Sequence, residues 1–206
     1  IFLGADRNIT GRERTAFEAF MSAGGTGVLA CDEGRGNSIS SLYDITLSDH
    51  RVLATDFEYN WSFIPSSVEY EGEGYEVLFN NPMAVFSHNE DSYPLASSAE
   101  LASGDPDDPQ STQGSVADMN DNDEMDMEDR VGPISLMEML PADGSSHGTL
   151  VITGDTGLFN DEFLDLHDNR PFIVHLVTSL LPRGGSVTLY TGAQTGSISP
   201  NILYGE

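Results

Sequence analysis

The stretch TGVLAC at residues 26–31 decides the fold class, because it is a continuous apolar run without polar alternation. Such a run is typical of a strand that is covered on both faces, as in a parallel sheet. A second run of this kind, GTLVIT, occupies residues 148–153. Before the first run, Thr10 and Glu13 have the spacing of a capping box, which predicts a helix start. Residues 1–5, IFLGA, are expected to end a short buried strand before this helix. The order strand, helix, strand indicates parallel strands joined by right-handed crossovers.

The remaining elements extend this pattern. A short helix is expected around residues 160–166, and Asp168 or Asn169 is expected to cap a longer helix with Pro171 at its first position. We therefore expect one α/β domain over residues 1–206, with three layers and a mainly parallel sheet. Residues 85–133 are expected to form an acidic insertion, since their central part is rich in Ser, Gly, Asp, Pro and Gln.

The charge balance excludes several classes of partner. The 206 residues contain 34 acidic side chains against 8 basic ones, all of them arginine, which gives a formal net charge of −26. A protein that binds nucleic acid or an anionic membrane needs a basic face, and this sequence offers none. No apolar stretch is long enough to cross a bilayer. Because salt screens self-repulsion at a Debye length of about 3 Å near 1 M, the acid excess indicates adaptation to high salt.

Residues 118–129 carry seven carboxylates in twelve positions, which predicts a cation site. Counting residue 118 as position 1, the ligand positions of an EF-hand loop hold oxygen donors, namely Asp118, Asn120, Asn122, Glu124 through its carbonyl, Asp126 and Asp129. All-oxygen ligands favour Ca²⁺ over zinc or copper. Asp123 stands where a glycine is usual, and position 12 is Asp rather than Glu, so a solvated acidic run is the alternative.

A second group of polar residues follows the predicted strands. In a parallel sheet these loops would meet at the carboxyl edge, where ligands usually bind, so we treat them as a possible ligand-binding edge: Asp6, Asp32, Glu33, Asp155 and Asn160. Ordinary turn chemistry would select the same residue types and remains open. A phosphate site is not predicted, because the glycine-rich phosphate motifs are absent from the sequence.

The single cysteine, Cys31, is expected to be a small core residue rather than a nucleophile. The acidic neighbours Asp32 and Glu33 would raise its pKa instead of lowering it. We assign no catalytic residues.

Three stretches carry a family resemblance: AGGTGVLACDEGRGNS at residues 23–38, VITGDTGLFND at 151–161 and DNRPF at 168–172, with an acidic insert before Gly132-Pro133. They resemble a domain family of unknown function, widespread in halophilic archaea and bacteria, within the class I glutamine-amidotransferase-like superfamily. The resemblance implies a flavodoxin-like sheet without the amidotransferase triad. It also implies a domain held outside the membrane, tethered by segments beyond this sequence.

Together these observations predict a non-catalytic extracytoplasmic binding or assembly domain of a salt-adapted protein, with a Ca²⁺ loop. A protein partner or further copies of the chain are its expected partners, at the cell surface. Two alternatives stay open: a cell-surface structural subunit, and a hydrolase that uses the acids at the carboxyl edge of the sheet.

Overall fold

The computed structural model describes residues 2–3, 9–32, 34–54, 63–98, 115–117, 130–142, 148–181, 187–190 and 195–198. In these ranges the helices are α1 Gly11–Ser22, α2 Asn37–Ser40, α3 Asp161–Leu164 and α4 Asn169–Leu180. The strands are β1 Phe2–Leu3, β2 Gly27–Ala30, β3 Ile45–Ala54, β4 Phe63–Tyr70, β5 Glu73–Asn80, β6 Met83–Ser87, β7 Tyr93–Ser97, β8 Ser115–Ala117, β9 Arg130–Val131, β10 Ser135–Leu140, β11 Leu150–Thr153, β12 Val187–Tyr190 and β13 Thr195–Ile198.

The strands form three sheets. The largest has the order β13-β12-β1-β2-β11-β10-β7, the second has the order β6-β3-β8-β9, and β4 and β5 form a separate hairpin. In the largest sheet the pairs β12-β1, β1-β2 and β2-β11 are parallel, and the other pairs are antiparallel. All pairs in the second sheet and in the hairpin are antiparallel.

The predicted flavodoxin-like, mainly parallel three-layer sandwich is therefore wrong. Among the described strands three pairs are parallel and seven are antiparallel. The physical reason lies in the connections between strands, since a parallel pair needs a long crossover and an antiparallel pair does not. The β4–β5 hairpin turns through Glu71 and Gly72, both at positive φ, and two such residues suit a tight hairpin turn.

The two apolar runs are covered on both faces. The described core residues form two hydrophobic clusters. In β2, Val28 belongs to the first cluster and Leu29 to the second. In β11, Val151 and Ile152 divide in the same way, as expected for side chains that alternate across a strand. Cys31 lies fully buried in the second cluster, so its expected burial is confirmed.

The longer helices cover opposite sides of the central strands. Helix α1 contributes Phe17 and Met21 to the cluster that contains Leu29. Helix α4 contributes Phe172 and Leu176 to the cluster that contains Val28. The capping box of α1 is confirmed, since Glu13 Oε2 accepts a hydrogen bond from Thr10 N at 2.7 Å and Thr10 Oγ1 accepts one from Glu13 N.

Helix α4 begins differently from the prediction. It starts at Asn169 rather than Pro171, and neither Asx side chain caps it; Asp168 occupies the N-cap position without a capping hydrogen bond. Asp168 Oδ2 instead accepts a hydrogen bond from Glu76 N at 2.9 Å. Both side chains therefore act on strand β5 and not on their own helix.

The contacts of Asn169 reproduce those of a neighbouring strand. Its Oδ1 accepts from Leu78 N at 2.8 Å, and its Nδ2 donates to Leu78 O at 2.9 Å and to Phe163 O at 3.0 Å. Leu78 lies opposite Pro65 in the hairpin, and the N–H and C=O groups of Leu78 point to the edge away from β4. Buried backbone groups need such partners, so Asn169 takes the place of a missing strand.

Replacement of Asn169 by alanine should lower the free energy of unfolding by at least about 2 kcal/mol, because it leaves the buried N–H and C=O of Leu78 without partners. Urea denaturation measures the change. Arg170→Ala is the matched control on the same helix turn, since its exposed ion pair with Asp165 should contribute about 1 kcal/mol or less. Equal losses in the two variants would contradict this role of Asn169.

Candidate functional site

The loops that follow β2 and β11 meet at one edge of the largest sheet. Because these strands are parallel neighbours, Asp32 and Thr156 are placed side by side where the strands end. Thr156 Oγ1 donates to Asp32 Oδ2 at 2.6 Å, and Thr156 N donates to Asp32 Oδ1 at 3.1 Å. Each oxygen of Asp32 is therefore held by a group of the neighbouring loop.

Asp155 is buried directly beside this pair, with a relative exposure of 1%. Its Oδ2 accepts a hydrogen bond from Asn80 N at 2.7 Å, and its Oδ1 accepts one from Gly157 N at 2.6 Å. Burial raises the pKa of Asp155 to about 7, although these N–H donors lower it, and the nearby charge of Asp32 adds to the rise. The carboxyl group is thus a structural acceptor that changes charge near neutral pH.

Asp155 completes a row of contacts along the free edge of β5. The N–H groups of alternate residues, Glu76, Leu78 and Asn80, donate respectively to side chains of Asp168, Asn169 and Asp155. An uncovered strand edge presents unpaired backbone groups to solvent or to other chains. The side chains of three residues from the C-terminal part of the chain cover this edge.

A cavity of about 310 Å³ opens next to Asp155. Its walls are mainly polar, and those that bear on its chemistry are Asp32, Arg51, Asn80, Asn81, Asn160 and Phe163. They come from the loop after β2, from β3, from the end of β5 and the turn after it, and from the loop and helix that follow β11. The cavity is therefore built where the hairpin, the second sheet and the largest sheet approach one another.

Several polar groups of the cavity wall make no hydrogen bond or ion pair within the described ranges. They are the guanidinium of Arg51 and the side-chain amides of Asn80 and Asn81. Asn160 accepts a hydrogen bond from Glu162 N through Oδ1, which leaves its Nδ2 for a further partner. The cavity thus offers several donors, and the carboxylate of Asp32 retains lone pairs beyond the two that Thr156 uses.

Of the predicted ligand-binding edge, the structure brings Asp32, Asp155 and Asn160 to this cavity. Asp6 and Glu33 lie outside the described residues. Arg51, Asn80 and Asn81 were not predicted as site residues. The dipeptide Asn80-Asn81 before Pro82 is a turn signal, and it could have marked a loop but not its proximity to Asp155.

The predicted calcium loop lies outside the described residues, with all six of its ligand positions: Asp118, Asn120, Asn122, Glu124, Asp126 and Asp129. Within the described ranges no group of three His, Cys, Asp or Glu side chains is placed to hold a metal ion. The same part of the chain contains no helix that is long and apolar enough to span a membrane. The calcium site and the salt adaptation therefore stay predictions from the sequence.

Comparison with known proteins finds a likeness of fold. The structure is similar to the mmIFT52 N-terminal domain, with a TM-score of 0.58 and 11% sequence identity over 86% of this chain and 74% of that chain. No family model matches the sequence. No curated protein matches it either.

These findings overturn the family resemblance. Assignment to the class I glutamine-amidotransferase-like superfamily is wrong, because no family model supports it and the similar structure is the mmIFT52 domain. The short stretches behind it, at residues 23–38 and 151–161, coincide with β2 and β11 and the loops after them. An apolar strand followed by Gly, Asp and Asn recurs wherever a buried strand enters a turn, so such stretches do not specify a family.

Stability should depend on the titration of Asp155. Its pKa is about 7 in the folded chain and 3.8 as the ordinary value, so between these pH values the folded state retains a proton that the unfolded state has released. The stabilising effect of protonation is full below pH 3.8 and is lost as the pH rises towards 7. Relative to Asp155→Asn, the wild type should lose about 2 kcal/mol between pH 5 and pH 7.5.

Urea denaturation of both proteins across this pH range, at constant high KCl, measures the difference. The high salt screens the general repulsion that the other carboxylates contribute equally to both proteins. A difference between wild type and variant that does not change with pH would refute the raised pKa.

Proposed function

We propose that the chain is a non-catalytic binding domain, and the observation that carries this proposal is the use of Asp155 as a cover for the β5 edge. Its two oxygens accept backbone hydrogen bonds from Asn80, the last residue of β5, and from Gly157, which follows β11. Both oxygens of this carboxyl group are occupied by backbone N–H groups, which favours a structural role over proton transfer to a substrate. The acid best placed for chemistry thus has a structural role.

The geometry of Asp32 supports the same proposal over a hydrolase. A general base must lie within hydrogen-bond reach of the proton that it removes, and its orientation has to suit the substrate. The N–H and the hydroxyl of Thr156 hold both oxygens of Asp32 against the neighbouring loop, which favours a positioning role. Its free lone pairs can still accept a hydrogen bond from a bound molecule, which is what binding requires.

The setting of this domain is part of the proposal and rests on the sequence. The net charge of −26 supports an environment of high salt, where self-repulsion is screened. The proposal also includes an extracytoplasmic position and a protein partner. The oxygen-rich loop at residues 118–129 supports Ca²⁺ as a bound ion that stiffens the insertion.

Replacement of Asp32 by alanine should lower the free energy of unfolding by about 2 kcal/mol, because Thr156 loses an acceptor for both its N–H and its hydroxyl. Asp91→Ala is the matched control, since it removes the same charge from an exposed turn and should change stability by less than about 0.5 kcal/mol. Urea denaturation compares the two.

Catalytic acids often reduce stability, so their removal leaves a protein as stable or more stable. An Asp32→Ala variant that is at least as stable as the wild type would therefore count against the proposal. Hydrolysis of nitrophenyl ester, phosphate or glycoside substrates by the wild type, abolished in this variant, would establish a hydrolase instead.

Calcium binding by residues 118–129 is testable by titration calorimetry on the whole chain. The wild type should bind one Ca²⁺, and Asp118→Ala should weaken binding more than Asp121→Ala or Asp123→Ala, whose positions are not ligands in the EF-hand register. The three substitutions remove the same charge, so electrostatics alone would affect them equally. An absence of heat in the wild type, or equal losses in the variants, would identify a solvated acidic run.

A further inference from the structure

The cavity beside Asp155 combines groups that call for a ligand of one particular chemistry. Arg51, Asn81 and Asn160 are exposed and Asn80 is half-buried, and the side-chain nitrogens of these four residues make no hydrogen bond to the described part of the chain. Water therefore hydrates these donors, and a ligand can replace that water. Asp32 is an acceptor with lone pairs still available. A ligand that satisfies this wall must accept hydrogen bonds from several sides and donate at least one.

An anionic ligand fits this wall poorly. Arg51 would attract it, but Asp32 lies in the same wall and the chain as a whole carries a charge of −26. At high salt the net charge acts over only about 3 Å, so the repulsion that counts is the one between Asp32 and the anion, and like charges placed in one site are unfavourable. A cation would meet the guanidinium and the amide donors.

A hydroxyl group is neutral and both donates and accepts through one atom, so it suits both halves of this wall. A hydroxyl can donate to Asp32 and accept from Arg51 or from an asparagine amide. Several of them must be carried on one small frame to reach donors that come from different elements. Polyhydroxylated rings have this arrangement.

The size and the apolar part of the cavity agree with such a ring. A volume of about 310 Å³ lies at the lower end of small-ligand sites, which extend from roughly 300 to 1,000 Å³. Phe163 is half-buried in the wall, and its ring is held 6.2 Å from that of Phe63. A fixed aromatic ring gives an apolar surface on which the C–H face of a sugar can pack.

We propose that this cavity is a binding site for a neutral saccharide unit, held by hydroxyl contacts to Arg51, Asp32 and the asparagine amides and packed against Phe163. This inference rests on the proposed function, because it names the ligand class of a site that binds without catalysis. The ligand is one sugar residue or the end of a longer neutral glycan.

The test is NMR titration of the isotope-labelled chain with methyl glucoside, methyl mannoside and methyl galactoside. At least one of them should shift the backbone signals of Thr156 and Gly157 and the side-chain amide signals of the cavity asparagines. A dissociation constant of up to about 10 mM would support the site, because a single sugar makes few contacts. Binding at 1 mM corresponds to about −4 kcal/mol.

Two substitutions locate the site. Arg51→Gln removes the charged donor and should weaken binding about ten-fold. Arg12→Gln, at an exposed position of α1, is a control of equal charge change that should have no effect. Asn81→Gly removes one amide at a residue with φ of 51°, a conformation that glycine adopts freely, so this variant should fold normally and also bind more weakly.

Four results would overturn the saccharide site. They are no shift with any of the three sugars, a stronger response to glucuronate or citrate, tighter binding of an uncharged peptide such as N-acetyl-Gly-Asn-amide, and binding that neither Arg51→Gln nor Asn81→Gly weakens. None of these bears on the stability of Asp32→Ala or on nitrophenyl hydrolysis, which test the proposed function separately.

Discussion

The structure depends on the side-chain cover of the β5 edge. A two-stranded hairpin is marginal by itself, and β5 would otherwise expose the backbone groups of Glu76, Leu78 and Asn80. Asp168, Asn169 and Asp155 supply the missing partners from the C-terminal part of the chain. These contacts join the hairpin to the elements around the largest sheet, and they fix the wall of the cavity because Asn80 and Asp155 belong to both.

Local signals in the sequence predicted the parts of the fold that local chemistry decides. The capping box of α1 requires two residues, Thr10 and Glu13, and it formed as expected. The apolar runs at 26–31 and 148–153 predicted strands covered on both faces, and β2 and β11 are such strands. A buried apolar run indicates that a strand has neighbours, but it does not indicate whether those neighbours are parallel or antiparallel. The antiparallel pairing of β11 with β10 therefore could not be predicted from the run at 148–153, and the number of parallel strand pairs was overestimated.

The candidate site was predictable to a similar depth. Residues after neighbouring parallel strands meet at one edge, which places Asp32 beside Thr156. The roles of these residues were not predictable, because Asp155 and Asn169 act on a strand more than 70 positions away. Arg51 and Asn81 reach the cavity through the packing of β3 and of the β5–β6 turn. Sequence spacing contains no record of that packing.

The acidic composition also explains why neutral amides and one arginine, rather than further carboxylates, would bind the ligand in the proposed site. In a chain with 34 acids, further carboxylates at a binding site would add repulsion that a neutral ligand cannot relieve. Burial raises the pKa of Asp155, which reduces its charge near neutral pH, and two hydrogen bonds from Thr156 stabilise the carboxylate of Asp32. Asparagine side chains bring donors and acceptors without charge, so their hydrogen bonds depend little on salt. A binding wall made of amides would keep its affinity over the range of ionic strength to which so acidic a protein is suited.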